Sequence, residues 1–284
     1  MLNKTGNMQT FLGCDDPYDE AKIVIFGAPY DSTTSNRPGA RFGPAAMRHD
    51  SHGLETYSPY QDADLEDAAI YDAGELELPF GRPEPALDAV EAATAQILAD
   101  DKIPIMLGGE HLVTLGAIRA AAAKYPNLHI IHLDAHADLR EEYLGQNLSH
   151  ATVIRRCHDI LGDGKIYQFG IRSGAKEEFE WAKTHAALEK FGLIGFANMA
   201  KSLGDAPVYF TLDLDVLDPS AFPGTGTPEA GGVTFTELLA AMMHLKQLNV
   251  VGCDLVELAP HLDTTGISTA MACKILRELL LILS

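Results

Sequence analysis

The stretch "HIIHLDAHADLREEYLGQNLSH", residues 129–150, places an apolar run directly before a cluster of ionisable groups. Asp134, His136 and Asp138 follow the run at alternate positions. On an extended chain, side chains at alternate positions point to the same side. We therefore predict that two carboxylates and one imidazole are directed at one point, just beyond a buried strand.

The apolar run at 129–134 is one of several short, β-rich runs that alternate with segments of helical periodicity. The other strand-like runs are KIVIFGAP (22–29), AIYDAG (69–74), IPIMLGG (103–109), KIYQFG (165–170), VYFTLD (208–213) and VVGCDL (250–255). Helix-like spacing occurs at 84–100, 111–124, 175–188, 234–246 and 268–283. Nearly continuous apolar strands separated by helices indicate a parallel sheet that is covered on both faces. The predicted fold is a three-layer α/β/α domain with a mainly parallel central sheet.

Polar clusters follow four of the predicted strands. They are GGEH (108–111), DAHAD (134–138), DLD (213–215) and DLVE (254–257). In open α/β sheets, ligands bind beyond the carboxyl ends of the strands. We therefore expect four distant segments to present their carboxylates and imidazoles at one edge of the sheet.

The acidic residues of these segments predict a metal centre. Asp213 and Asp215 repeat the alternate spacing, whereas Asp218 precedes a proline and is assigned to a turn. Carboxylates gathered within a few ångströms would repel one another unless cations lie between them. Oxygen ligands with imidazole from His111 and His136, and without cysteine, favour two manganese ions, and zinc remains an alternative. Such a metal pair can share a bridging hydroxide and deliver it to an electrophilic carbon or phosphorus.

Composition limits the possible partners, the cellular location and the number of domains. The formal net charge of -19 over 284 residues disfavours nucleic acids and anionic membranes as partners. No apolar run has the length of a signal or membrane-spanning segment, and the four cysteines form no paired motif, which favours the cytoplasm. No linker or repeat is evident, so we predict a single domain over residues 1–284.

Together these segments resemble the ureohydrolase family, which includes arginases and formiminoglutamases. The resemblance extends over "RPGARFGPAAMR" (37–48), "LGGEHLVTLGAI" (107–118), "LDAHADLR" (133–140), "LSHATVIRR" (148–156), "FGIRSG" (169–174), "TLDLDVLDPSAFPGTGTPEAGG" (211–232) and "DLVELAP" (254–260). It implies the arginase-type fold and two Mn²⁺ ions. The implied ligands are His111, Asp134, Asp138 and Asp213 for one ion, and Asp134, His136, Asp213 and Asp215 for the other.

The resemblance also implies three catalytic residues. Glu257 matches the glutamate that grips the guanidinium of the substrate, and a carboxylate can pair bidentately with that planar group. His150 matches a histidine that transfers a proton, although the family's "SHGT" is "SHAT" here. Asp138 would orient the hydroxide or accept its proton.

The resemblance implies a small cationic guanidino compound as the substrate. The sequence does not determine which compound of this class is hydrolysed. Stretches such as "GLETYSPY" and "EEFEWAK" most resemble the agmatine-hydrolysing bacterial members, which predicts conversion of agmatine to putrescine and urea in polyamine biosynthesis. Arg140 replaces an asparagine expected in arginases and could pair with the carboxylate of 4-guanidinobutyrate, whereas Glu141 and Glu142 could favour the second ammonium of agmatine. We rank agmatine before guanidinobutyrate and arginine.

Two other classes of function stay open at this point. The metal ligands alone would permit a dinuclear phosphoesterase, although Glu257 and the acidic loop would repel an anionic substrate. A metal-binding protein without catalytic activity is the third alternative. By resemblance to the family we also expect a homo-oligomer, a trimer or a hexamer.

Overall fold

The computed structural model describes residues 9–284, and one parallel sheet dominates this part of the chain. Ten strands occur there, namely β1 (Ile23–Ala28), β2 (Tyr57–Ser58), β3 (Ala63–Asp64), β4 (Ile70–Glu75), β5 (Ile103–Gly108), β6 (His129–Leu133), β7 (Ile166–Ile171), β8 (Ala187–Lys190), β9 (Pro207–Asp213) and β10 (Asn249–Val256). Eight of them form the sheet in the order β4-β1-β5-β10-β9-β6-β7-β8, with all neighbours parallel. Strands β2 and β3 form a small antiparallel pair.

Helices cover both faces of the sheet. Within residues 9–284 they are α1 (Gly43–Ser51), α2 (Pro83–Ala99), α3 (Thr114–Lys124), α4 (Val153–Leu161), α5 (Lys176–His185), α6 (Phe196–Leu203), α7 (Phe235–Met242) and α8 (Ile267–Leu283). None of these helices combines the length and apolar character that crossing a bilayer requires.

Two hydrophobic clusters show how the layers pack. Phe26 belongs to one cluster with residues of α2, α3 and α4, whereas Ile25 belongs to the other with residues of α1, α6, α7 and α8. Neighbouring residues of a strand point to opposite faces of the sheet, so the two clusters lie on its two sides. The predicted three-layer α/β/α fold with a parallel sheet is therefore confirmed.

All seven predicted strands are present, and the helical predictions need three kinds of correction. The segment predicted as a helix over 175–188 ends at His185 and continues into β8, and the segment at 234–246 is α-helical only to Met242 before a 3-10 helix, Met243–Gln247. Helices α1, α4 and α6 were not predicted. Each is short, from eight to nine residues, so its periodicity covers little more than two turns.

The strand order places the four polar segments side by side. Strands β5, β10, β9 and β6 are consecutive in the middle of the sheet, and one of the polar clusters lies at or just beyond the carboxyl end of each. Because these strands are parallel, their carboxyl ends meet at the same edge. The predicted convergence of four distant segments is thus a consequence of the topology.

Candidate functional site

A cavity of about 250 Å³ lies at the edge where the four central strands end. His111 begins the 3-10 helix that follows β5, Asp213 is the last residue of β9, and Glu257 directly follows β10. Of the predicted site residues, His111, His136, Asp138, His150, Asp213 and Glu257 line this cavity.

His111 is surrounded by three carboxylates. Its Nδ1 lies 3.1 Å from Asp134 Oδ2, 3.3 Å from Asp213 Oδ2 and 3.4 Å from Asp138 Oδ2. These residues lie at or just beyond the carboxyl ends of β5, β6 and β9. The structure therefore brings together all four residues that were predicted as ligands of the first metal.

A second group lies on the other side of Asp134. His136 Nδ1 is 3.4 Å from Asp134 Oδ1 and 3.0 Å from Asp215 Oδ2. Asp213 contacts this group through a hydrogen bond to the backbone: its Oδ1 accepts the amide N–H of Asp215 at 2.8 Å. Asp134 thus belongs to both groups, as expected for a ligand shared between two ions.

The local geometry that produces this convergence differs from the alternating extended chain that was expected. Strand β6 ends at Leu133, so Asp134, His136 and Asp138 lie in the loop beyond it. Asp138 has a φ of 54°, in the left-handed region. The carboxylates are directed by side-chain bonds to the loop backbone, among them Asp134 Oδ1 accepting His136 N–H at 2.5 Å and Asp215 Oδ1 accepting Ala135 N–H at 3.1 Å.

The electrostatics of the cluster favour a cation. Burial raises the pKa of Asp138, and the charge of Asp134 raises it further; burial and the charge of Asp215 likewise raise the pKa of Asp213. His111 Nδ1 and Asp215 Oδ2 are buried and make no hydrogen bond with any of residues 9–284. Carboxylate oxygens and imidazole nitrogens with unused lone pairs fit divalent ions such as manganese or zinc.

A buried hydrogen-bonded chain fixes the ring orientation of His111. The hydroxyl of Thr211 donates to Asp254 Oδ1 at 2.6 Å, and its oxygen lies 2.9 Å from His111 Nε2. Because the hydroxyl has only one hydrogen, its oxygen accepts the Nε2–H of His111. Nδ1 then carries the lone pair and faces the carboxylates. The sequence analysis included Asp254 in the polar cluster DLVE but assigned it no role, although a charged residue inside an apolar strand signals a buried partner.

His132 is a second residue that sequence reasoning missed. It is fully buried, and its Nε2 lies 2.8 Å from Asp134 Oδ2. Gln168 Nε2 lies 2.9 Å from His132 Nδ1 and 2.8 Å from the carbonyl oxygen of Ala137, so the amide donates to both. His132 therefore holds its proton on Nε2 and donates it to Asp134. Its alternate position before Asp134 in the sequence was the available signal.

His150 lines the cavity, and a hydrogen bond from its backbone fixes its position. Its amide N–H donates to Thr33 Oγ1 at 3.1 Å, and that hydroxyl donates to Glu110 Oε1 at 2.6 Å. The ring nitrogens lie 3.2 Å from Ser149 Oγ and 3.4 Å from Ser35 Oγ. Burial lowers the pKa of His150 to about 4, so the ring is neutral at pH 7.

Glu257 is buried beside the His111 group. Its Oε1 accepts the backbone N–H of His111 at 2.8 Å, and its φ is 67°. Burial, followed by the charge of Glu110, raises the pKa of Glu257 to about 8. A cation that pairs with this carboxylate would therefore relieve an unfavourable charge.

Comparison with known proteins places the site in a family. The sequence model of the arginase family matches residues 21–282. The chain belongs to the arginase family. An agmatinase of Bacillus cereus is 49% identical over 277 residues, which cover 96% of each chain. A guanidinobutyrase of Pseudomonas aeruginosa is 32% identical over 93% of this chain and 87% of its own.

Solved structures agree with the arginase-family assignment. A crystal structure from Clostridium difficile superposes with a TM-score of 0.93 at 53% identity, covering 94% of this chain and 99% of that one. The resemblance to ureohydrolases that was read from the motifs is therefore confirmed, as is the arginase-type fold.

The loop after Asp138 is occupied by its own ion pairs. Arg140 Nε lies 3.5 Å from Glu178 Oε2, and its guanidinium lies 4.9 Å from the centre of the Tyr143 ring. Glu141 lies 2.5 Å from Arg155 Nη2 and 3.4 Å from Arg156 Nη2. The Glu141 carboxylate is thus engaged outside the cavity lining, and Arg140 already has a carboxylate partner.

Proposed function

We propose that the chain hydrolyses agmatine to putrescine and urea with two manganese ions. The convergence of three carboxylates on His111, beside a cavity that His111 and Glu257 line, is the observation that carries this proposal. The agmatinases of Bacillus cereus, Bacillus anthracis and Bacillus subtilis support it, since they are 47–49% identical over 96% of this chain.

The two ions would be held by the residues that surround Asp134. His111, Asp134, Asp138 and Asp213 would bind one ion, and Asp134, His136, Asp213 and Asp215 would bind the other. None of these ligands is a cysteine, and the oxygen-rich set favours manganese. When bound, the pair supplies an activated water as the nucleophile and stabilises the charge that develops on the reacting centre.

Glu257 would orient the guanidinium. Its Oε1 is shared with the N–H of His111, and a carboxylate retains acceptor capacity for two parallel N–H donors of the substrate. This bidentate contact would fix the plane of the guanidinium, and with it the face that is open to attack.

Asp138 and His150 would transfer protons from the attacking water to the leaving amine. Both hydrogens of the attacking water must reach the departing nitrogen, because the guanidinium carbon becomes the carbon of urea and the amine leaves as an ammonium. His150 is neutral in the free protein, so it would first accept a proton and then pass it to the leaving amine. Asp138 would orient the water through a hydrogen bond and accept its second proton, which then passes to the same nitrogen.

The charges of the cavity support agmatine over guanidinobutyrate. Glu178, which is buried at 4% exposure, lines the cavity together with Asp138, Asp213 and Glu257. The single cationic side chain among its lining residues, Arg140, is paired with Glu178. With the charges of Asp138 and Asp213 offset by the ions, the lining keeps Glu257 for the guanidinium and has no unpaired cationic side chain for the carboxylate of guanidinobutyrate, which favours agmatine. Guanidinobutyrate is the second candidate, because Arg140 lines the cavity and a guanidinobutyrase is among the relatives.

A urea-release assay tests the proposal. The purified protein is given agmatine, 4-guanidinobutyrate or arginine, with manganese and after chelation. We expect urea and putrescine from agmatine with the highest kcat/KM, and loss of activity on chelation that manganese restores better than zinc. A preference for arginine would overturn the agmatine assignment, and phosphatase turnover without urea release would favour the phosphoesterase alternative.

Three further expectations accompany the proposed activity. We propose that the chain works as one domain over residues 1–284, in the cytoplasm, and as a homo-oligomer of three or six copies. Light scattering coupled to size-exclusion chromatography measures the last of these directly.

A further inference from the structure

We propose that His158, Asp163 and His185 form a second metal site, for a borderline transition ion such as Zn²⁺, at the carboxyl ends of α4 and α5. The site is separate from the centre around Asp134 and shares no residue with it. It does not depend on the proposed activity.

The three side chains converge on one carboxylate oxygen. Asp163 Oδ1 lies 2.8 Å from His158 Nε2 and 2.7 Å from His185 Nδ1. The two ring centres are 5.3 Å apart, and the three ligand atoms lie within 4.8 Å of one another. His158 belongs to α4, His185 is the last residue of α5, and Asp163 lies in the loop after α4. A small outward shift of each atom would bring all three to bonding distance of a central ion, about 2.0–2.2 Å.

Trp181 holds both imidazoles in place. Its ring stacks on His185 with centres 4.4 Å apart and planes 22° apart, and it meets the edge of His158 at 4.6 Å. The guanidinium of Arg155 lies 4.4 Å from the centre of the same indole. Rings that are oriented before an ion binds lose little conformational freedom on binding it.

The donor set determines which ion fits. Two imidazole nitrogens and one carboxylate oxygen suit Zn²⁺, Ni²⁺ or Cu²⁺, whereas calcium and magnesium prefer oxygen alone. The Asp163 side chain is 65% exposed and that of His158 16% exposed, so water can complete the coordination and ions can enter from solvent. A bound ion would join the carboxyl ends of two helices that cover one face of the sheet.

A hydrogen-bonded triad is the simpler alternative for the same three residues. Two neutral imidazoles that each donate an N–H to Asp163 would satisfy every group without an ion. The two arrangements differ in one respect: only the metal site requires both imidazoles and the carboxylate together for saturable binding of an added ion.

Trp181 provides the measurement, because it is the single tryptophan of the 284-residue chain. Open-shell ions quench indole fluorescence on close approach, so Ni²⁺ is titrated into the manganese-loaded protein while tryptophan emission is recorded. We expect saturable quenching, which added Zn²⁺ reverses by displacement. His158→Gln, His185→Gln and Asp163→Asn should each weaken the apparent affinity more than about tenfold, since even the loss of an outer partner costs a site about 10–100-fold.

Two control variants distinguish binding at this site from binding elsewhere on the protein. His49→Gln removes an exposed imidazole that pairs with one carboxylate, Asp50, at 2.8 Å, and should leave the quenching unchanged. Asp213→Asn impairs the centre around Asp134 and should also leave it unchanged. Quenching that disappears in Asp213→Asn, or that persists in all three site variants, overturns the proposal, as does an absence of saturable quenching.

Folding of the variants is followed by circular dichroism. Asp163→Asn retains a hydrogen-bond acceptor at an exposed position, so it should fold even if the histidine variants do not. Trp181→Phe, studied by isothermal titration with Ni²⁺, should still bind one equivalent outside the centre around Asp134. Loss of that equivalent together with intact folding would count against the site as defined.

Discussion

Replacing Glu257 by glutamine isolates the charge of the carboxylate that is proposed to orient the guanidinium. The variant keeps the side-chain length and an oxygen that can accept the N–H of His111, a bond of 2.8 Å in the structure. The loop around the metal ligands should therefore be preserved. What is lost is one charge-assisted acceptor and the attraction between a buried carboxylate and a cation.

The size of the effect follows from the contacts. Two N–H groups of a guanidinium can pair with Glu257, and each hydrogen bond to a charged group contributes about 1.5–3 kcal/mol. The amide oxygen of the variant still accepts one of them as a neutral bond, so the net loss is about 3 kcal/mol. That corresponds to a decrease of roughly 100-fold in kcat/KM.

Steady-state urea release with agmatine measures this loss, and metal content and thermal unfolding are recorded for the same preparation. Glu189→Gln is the matched control, because Glu189 also accepts one backbone N–H, that of Gly195 at 2.8 Å, but does not line the cavity. It should retain wild-type kcat/KM. If Glu257→Gln keeps its metals and stays within about threefold of the wild type, below the scale of a single such hydrogen bond, Glu257 does not hold the guanidinium.

Four other substitutions test separate parts of the molecule. His150→Asn should lower kcat by about 100-fold or more with little change in KM, as expected for loss of proton transfer, and a change confined to KM would refute that role. Asp213→Asn should abolish metal binding, measured by elemental analysis, together with activity; an active variant would contradict its shared position between the ions. Asp254→Asn should weaken Mn²⁺ binding by about 10–100-fold in calorimetric titration, because its amide can reverse the hydrogen-bonded chain to His111. Asp263→Ala should lower the free energy of unfolding in urea by about 1 kcal/mol, since Asp263 Oδ2 accepts the N–H of Ser268 in the first turn of α8 at 2.8 Å. An unchanged midpoint would show that this hydrogen bond does not stabilise the protein.

The sheet was predictable because its central strands are apolar on both faces. Strands such as β5 and β6 are buried along nearly their whole length, so the run of hydrophobic residues is itself the signal. Strand β8 was missed because it lies at the edge of the sheet, where its residues are exposed or only partly buried and include Glu189 and Lys190. The neighbouring order of β5, β10, β9 and β6 depends on long-range pairing, which no local pattern contains.

The residues of the candidate site were predictable where they stand in a polar cluster after a strand. His111, Asp134, Asp213 and Glu257 all have this position. Residues within the strands were assigned no role: Thr211 has apolar neighbours, and Asp254 was noted only as part of the DLVE cluster. The neutral state of His150 could not be predicted from the sequence either, because it results from burial by segments distant along the chain.

The left-handed backbone at Glu257 sets activity against stability at that position. A non-glycine side chain at a φ of 67° holds a conformation that costs about 1–2 kcal/mol per residue. Glycine would adopt the same backbone without that cost, although it would remove the carboxylate. Selection for a more heat-resistant variant of this protein, made without regard to turnover, should therefore favour loss of the very side chain on which substrate orientation depends.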